Sequence, residues 1–230
     1  MKTMRKTYWL FLLLVTLLGE IGCHGGSCGC DPPVQAPLLV EAERELSAMR
    51  SSSYQHTTEV QEANGVFRYD CSGFLDYALG RVLPNAFAVL PRSGSRPLAQ
   101  DFHDHLKLQS TQVTGPGGWV RVERPEFLMG GDLVAYLVPP DSDSNNTGHV
   151  MVVETIPLRN PERNDEWLVK VIDSTSNPHA QDSRSNGVTG LGRGTIGLIV
   201  DGTGLPVKIR WRGGISTPDT ATQIAMGRIR

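Results

Sequence analysis

The hydrophobic period of this chain changes once, near Trp119, and that change limits its architecture more than any other feature. Upstream of it, apolar residues recur at helical spacing. Leu38, Leu39, Ala42, Leu46 and Met49 form one stripe, with Glu41, Glu43 and Arg44 outside it. Cys71, Phe74, Leu75, Ala78 and Leu79 form a second, at i, i+3, i+4, i+7 and i+8. Asp70 is placed to cap that second helix, and Gly80 to stop it. Pro97 opens a shorter helix carrying Leu98, Phe102 and Leu106. Downstream, short apolar runs replace the stripes, over residues 133–138, 149–156, 167–173, 195–200 and 207–212. No helical pattern separates these runs, so their connections favour antiparallel pairing. The expected fold is α+β, with N-terminal helices packed on a mostly antiparallel sheet. Residues 51–68 and 84–96 read as irregular. Residues 157–166 read as a hairpin insertion, and 174–194 as a polar, glycine-rich connection.

The first 36 residues are of a different kind. Lys2, Arg5 and Lys6 precede an apolar run over residues 10–18, which is too short for a stable membrane span. This is the pattern of an export signal, over residues 1–22. Glu20-Ile21-Gly22-Cys23 resembles a bacterial lipobox, with Glu20 where that pattern carries an apolar residue. Acylation of Cys23 would tether the protein to a membrane without a spanning helix. Residues 23–36 read as a linker and 37–230 as one domain. Cys28 and Cys30 have no Cys or His pair downstream at zinc spacing, so a plain tether or a disulfide is preferred to a metal site. A net charge of −2 offers no basic surplus for nucleic acid.

Chemistry concentrates at Cys71. In the first turn of a helix, free backbone N–H groups and the helix dipole favour the negative charge of a thiolate. A cysteine nucleophile needs a base, and the base needs an orienting group. His149 begins a strand directly after a polar loop, a place from which an imidazole can face a cleft. The next strand ends at Asp173, which antiparallel pairing can bring beside His149. Asp173 can equally end its strand in an Asx turn. His103 and His105 do not share a helix face and read as surface histidines. The loop from Asp141 lacks the Gly and Glu of a calcium site, so no metal or cofactor is expected.

Four segments occur in order: Asp70-Cys71-Ser72-Gly73-Phe74, Leu90-Pro91-Arg92-Ser93 followed by Ala99-Gln100, Gly131-Asp132-Leu133-Val134, and Gly148-His149-Val150. In these the chain resembles the NlpC-type cell-wall peptidases, papain-like cysteine hydrolases that cut peptidoglycan stem peptides. The resemblance covers residues 54–175. It implies that Cys71 attacks the scissile carbonyl and that His149 takes its proton. The orienting position falls on Asp173, where the family more often has a histidine, with His179 as the other candidate. Tyr54 would help bind the oxyanion. Arg92 would bind substrate carboxylates, with Arg184 as a second cleft arginine, and Asp132 would be a structural turn residue. The implied protein is an exported monomer of the bacterial periplasm or cell envelope. Two other readings stay open: a binding or scaffold protein that keeps the fold without chemistry, and an amidase or acyltransferase acting on another substrate.

Overall fold

The computed structural model describes residues 35–230 other than 140, 141, 143–145 and 216. The export signal, Cys23, Cys28, Cys30 and nearly all of the linker lie outside the described residues. So does most of the loop from Asp141. Among the described residues, no helix is long and apolar enough to cross a membrane.

The chain is a mixed α+β fold with a large antiparallel sheet and few helices. Helix α1 (Pro37–Ala48) starts with its proline in the first turn and buries Leu38, Leu39 and Ala42. Three short strands follow: β1 (Ser51–Ser53), β2 (Glu59–Gln61) and β3 (Val66–Arg68). They form a small sheet in which β3 lies between the other two, parallel to β1 and antiparallel to β2. The sequence expectation of an irregular segment here is corrected. Strands of three residues are too short to show a period, and Ser51-Ser52-Ser53 has no apolar face to reveal one.

Helix α2 (Cys71–Val82) buries the predicted stripe of Cys71, Phe74, Leu75, Ala78 and Leu79. It runs through Gly80. Its end is set by Pro84, which opens α3 (Pro84–Ala88) and holds Leu83 out of the helical region. A lone glycine weakens a helix, but a proline stops it. Residues 84–88, expected as loop, are therefore a short helix. Helix α4 (Ala99–Leu108) follows, as Pro97 foretold. His103 on α4 is buried at 1% exposure and is not a surface residue.

The sheet contains β4 (Trp119–Val122), β5 (Leu133–Leu137), β6 (Gly148–Val153), β7 (Leu158–Arg159), β8 (Glu166–Thr175), β9 (Gly190–Val200), β10 (Pro206–Arg210), β11 (Thr220–Ala221) and β12 (Ile224–Ile229). Its order is β11-β10-β9-β8-β6-β5-β12-β4, with β7 paired to β8 as the tip of the expected hairpin. Every pairing in this sheet is antiparallel. Strand β12 was not foreseen, although it sits inside the sheet between β4 and β5. Its run Ile224-Ala225-Met226-Gly227-Arg228-Ile229 mixes small, apolar and charged residues and carries no clear alternation.

Both faces of the central strands are covered, which is why they read as continuous apolar runs. On β6, Val150 and Val152 face the helices together with Phe74, Leu75, Leu133 and Ile172. Met151 and Val153 face the other side, where Val134, Val169, Val171, Ile196, Leu198 and Met226 form a second core. Each fully buried Leu, Val or Phe contributes about 1.5–3 kcal/mol. The two cores hold β6 and β8 from both sides.

One buried acid stands apart from this apolar packing. Glu45 of α1 is fully buried and accepts a 2.6 Å hydrogen bond from the Tyr69 hydroxyl, while its Oε1 has no partner. Burial pushes its carboxyl up from 4.5 to about 8, against the opposing pull of the Tyr69 bond. The folded chain thus keeps a proton that the unfolded chain releases. The stabilisation tied to that proton is complete below about pH 4.5 and is lost as pH rises toward 8. Urea unfolding of wild type and Glu45→Gln at pH 5 and pH 9 checks this. The variant should lose the downward slope and gain about 3 kcal/mol over wild type between the two pH values. Parallel pH curves for the two proteins would refute it.

Candidate active site

Cys71 occupies the first position of α2 because Asp70 caps the helix. The Asp70 backbone is extended, and its Oδ1 accepts the Gly73 N–H at 2.7 Å. The same oxygen accepts the Ser72 hydroxyl at 3.2 Å. Oδ2 faces His56 Nδ1 at 3.0 Å and the Arg96 guanidinium at 2.6 Å. Arg96 also donates to Ser72 Oγ at 2.7 Å and to Asp76 at 3.2 Å. Gly73 is needed for close packing: a Cβ there would lie 2.8 Å from Thr58 Oγ1 and 3.2 Å from the capping carboxylate.

His149 is the second residue of β6. Gly148 lets β6 begin so close to β5, since a Cβ at this position would overlap the Tyr136 carbonyl oxygen. Pairing of β6 with β8 matches Val152 to Ile172 and brings Asp173 under the imidazole. His149 Nε2 lies 2.6 Å from Asp173 Oδ2, with both residues buried. Cys71 stands near enough for its charge to act on the same imidazole. Burial alone would lower the His149 pKa. The charge of Cys71 and the hydrogen bond to Asp173 outweigh it and raise the imidazole to about 10. An imidazole so placed holds its charge through neutral pH.

Asp173 is fully buried, and burial opposes its charge. His179 and His149 outweigh that opposition and hold the carboxyl well below the usual range. His179 Nε2 contacts the same oxygen, Oδ2, at 2.8 Å. Arg184 donates to Oδ1 at 3.0 Å. The connection from β8 to β9, predicted only as polar and glycine-rich, supplies both residues. It turns back at Gln181, whose φ of +50° is uncommon for a residue with a side chain. Asp182 then takes the His179 N–H at 2.7 Å and the Arg184 guanidinium at 2.7 and 2.8 Å.

Two clefts flank the pair of Cys71 and His149, and Tyr54, Asn146 and Gly148 border both. One, of about 420 Å³, is lined by Cys71, Asp70, His56, Ser95 and Arg96 and is the charged side. The other, of about 280 Å³, is lined by His149, Tyr136, Trp211, Thr175 and Asn177 and sets aromatic rings beside short polar side chains. Tyr54 is held between them by the small sheet. Its N–H donates to Thr189 Oγ1 at 3.1 Å, while Ser52 Oγ accepts the Leu191 N–H at 2.8 Å. Burial, then the charges of Cys71 and Asp70, raise the Tyr54 phenol, so it keeps its hydrogen as a donor.

The predicted residues Cys71, His149, Asp173 and Tyr54 are thus brought to one place. Arg92 is not among them. Its guanidinium packs over the Phe87 ring, 5.5 Å from the centroid, and does not line either cleft. The cleft arginine is Arg96, four residues on. No hydrophobic period distinguishes the two arginines of one loop. Arg184 lies behind Asp173 and outside the cleft linings. Asp132 is structural, as expected: it accepts the Met129 N–H and pairs with Arg228 at 2.8 Å. Trp211 went unnoticed at the end of a predicted strand, yet its ring lies 5.1 Å from His149 and 4.1 Å from His179.

The two arginines should separate cleanly on substitution. Arg92→Ala should leave stability within about 0.5 kcal/mol of wild type. Arg96→Ala removes the cation from Asp70 and from Asp76, whose carboxyl burial already pushes up to about 7. It should cost about 2 kcal/mol in chemical unfolding. Equal losses for the two variants would contradict this assignment.

His149, Asp173 and His179 also have the residue types of a metal centre, with ligand atoms within 4.8 Å of one another. The Arg184 guanidinium on the shared carboxylate opposes a cation there, and both imidazoles already spend the facing nitrogen on Asp173. No family model matches the chain, and no curated protein or solved structure matches it significantly.

Proposed function

We propose that the protein is a papain-like cysteine hydrolase of the NlpC type, exported to the bacterial periplasm or envelope, that cleaves an amide bond in peptidoglycan stem peptides. One observation carries the chemistry: a cysteine at a helix N-terminus and a histidine bonded to a buried aspartate line two clefts that share Tyr54, Asn146 and Gly148. The substrate class rests on the four-segment resemblance.

In this reading the Cys71 thiolate attacks the scissile carbonyl carbon, and the carbonyl π electrons move to oxygen. The first-turn N–H groups of α2 have no partner within the helix, and the Cys71 N–H and the Tyr54 hydroxyl are the candidate donors to that oxyanion. The imidazolium of His149 gives its proton to the leaving nitrogen as the C–N bond breaks. A thioester on Cys71 remains. Neutral His149 then takes a proton from water, whose oxygen attacks the thioester and releases the acid and the Cys71 sulfur. Asp173 holds the imidazole orientation and stabilises its charge throughout.

Mass spectrometry of purified peptidoglycan incubated with the protein, beside its Cys71→Ala variant, tests the reading. New fragments made only by wild type support it, and their masses name the bond. No fragments with rapid alkylation of Cys71 point to a different amide or acyl substrate. No fragments with slow alkylation favour the binding or scaffold reading.

A further inference from the structure

We infer that His179 is a charged positioning residue: a buried imidazolium that shares Asp173 with the base His149 and sets the pH range over which Cys71 and His149 work as an ion pair. This rests on the proposed role of Cys71 and His149 and extends it.

The argument is a count of donors and acceptors. His179 is fully buried at its side chain, so water does not complete its hydrogen bonding. Its Nδ1 lies 3.1 Å from the Trp211 carbonyl oxygen, which can only accept. Its Nε2 lies 2.8 Å from Asp173 Oδ2, which as an ionised carboxylate can only accept. Both ring nitrogens therefore carry hydrogen, and the ring is a cation. The Trp211 indole lies 4.1 Å away, centroid to centroid, a position suited to a cation.

Charge balance supports the same assignment. Around His179 the titratable or charged groups are Asp173 on β8, Asp182 and Arg184 on the β8–β9 connection, and His149 on β6 with Cys71 beyond it. Tyr54 and Tyr136 border the site and stay neutral, because burial raises both phenols. The charges then form three pairs: Cys71 with His149, Asp173 with His179, and Asp182 with Arg184. A neutral His179 would turn a lone pair toward either Asp173 Oδ2 or the Trp211 carbonyl oxygen, according to its tautomer.

A residue that only filled space here could be replaced by any neutral group of its shape. A charge 6.5 Å from the His149 ring acts differently. It favours the Cys71 thiolate and disfavours the His149 imidazolium, so its removal moves both limbs of the ion-pair range to higher pH. His179→Gln keeps a donor for Asp173 and deletes the charge. The rate of Cys71 alkylation by iodoacetamide, followed from pH 4 to 11, should shift upward by about one unit in the variant. Nitrogen-15 spectra of the wild-type histidine rings should show His179 protonated at both nitrogens at neutral pH. That spectrum needs no variant, so it decides the matter even where His179→Gln fails to fold. A His179 ring with one bare nitrogen, or superimposable alkylation profiles, would overturn the inference. Neither readout uses peptidoglycan, so an error in the substrate class leaves the test intact.

Discussion

Cys71→Ala should reduce amide cleavage to the background rate while the unfolding midpoint stays close to wild type. The change deletes one sulfur atom at the cleft floor, from a residue 4% exposed whose helix is fixed by Asp70 and by the packing of Phe74 and Leu75. Loss of the sulfur's packing costs about 1 kcal/mol, and His149 gives up its proton rather than remain a cation without Cys71. Loss of the nucleophile of a hydrolytic triad costs on the order of 10⁶-fold in turnover. The imbalance between these two effects is the signature of a chemical role. Fragment yield from peptidoglycan and thermal unfolding, measured on the same preparation, read both. Equal fragment yields from the two proteins would place the nucleophile elsewhere and remove the basis of the mechanism.

What could be read in the sequence was whatever repeats along it. The α2 stripe repeats at i+3 and i+4, so it located Cys71 and its buried neighbours. The runs of β6 and β8 are long and apolar because both faces are covered, so they placed His149 and Asp173 on adjacent antiparallel strands. Asp173 then met His149 as pairing required. Structure that depends on partners far along the chain left no such mark. Strands β1 to β3 are three residues each, and their registry is set by Ser52 and Tyr54 bonding to the β9 segment. Strand β12 is defined by its neighbours β4 and β5 and has no pattern of its own. Among charged residues the sequence offered types without positions. Arg92 and Arg96 share one loop, and only packing sends the first onto Phe87 and the second onto Asp70. Arg184 was expected in the cleft and Asp182 had no expected role, because a buried ion pair uses the same residue types as an exposed one.

Asp173→Asn is the substitution for which the structure changes the expectation most. The sequence alone predicts an orienting residue whose loss slows turnover. The geometry predicts a loss of stability as well. Asp173 Oδ2 accepts from two imidazoles and Oδ1 from Arg184, all in buried surroundings. An asparagine has one oxygen and one NH2 group in those positions. In either orientation its NH2 faces a donor: the Arg184 guanidinium in one, the two ring N–H groups in the other. A donor then meets a donor, and the cations of the cluster lose their counter-charge. Removing one partner from a buried charge network costs about 3–5 kcal/mol. Turnover should fall by roughly 10²- to 10⁴-fold, because His149 loses the group that fixes its ring and stabilises its charge. Urea unfolding and fragment yield are measured together on wild type and variant. Full stability with reduced turnover would mean that Asp173 orients His149 and carries no wider charge role. Reduced stability with full turnover would move the orienting role to His179, whose own variant is then the decisive one.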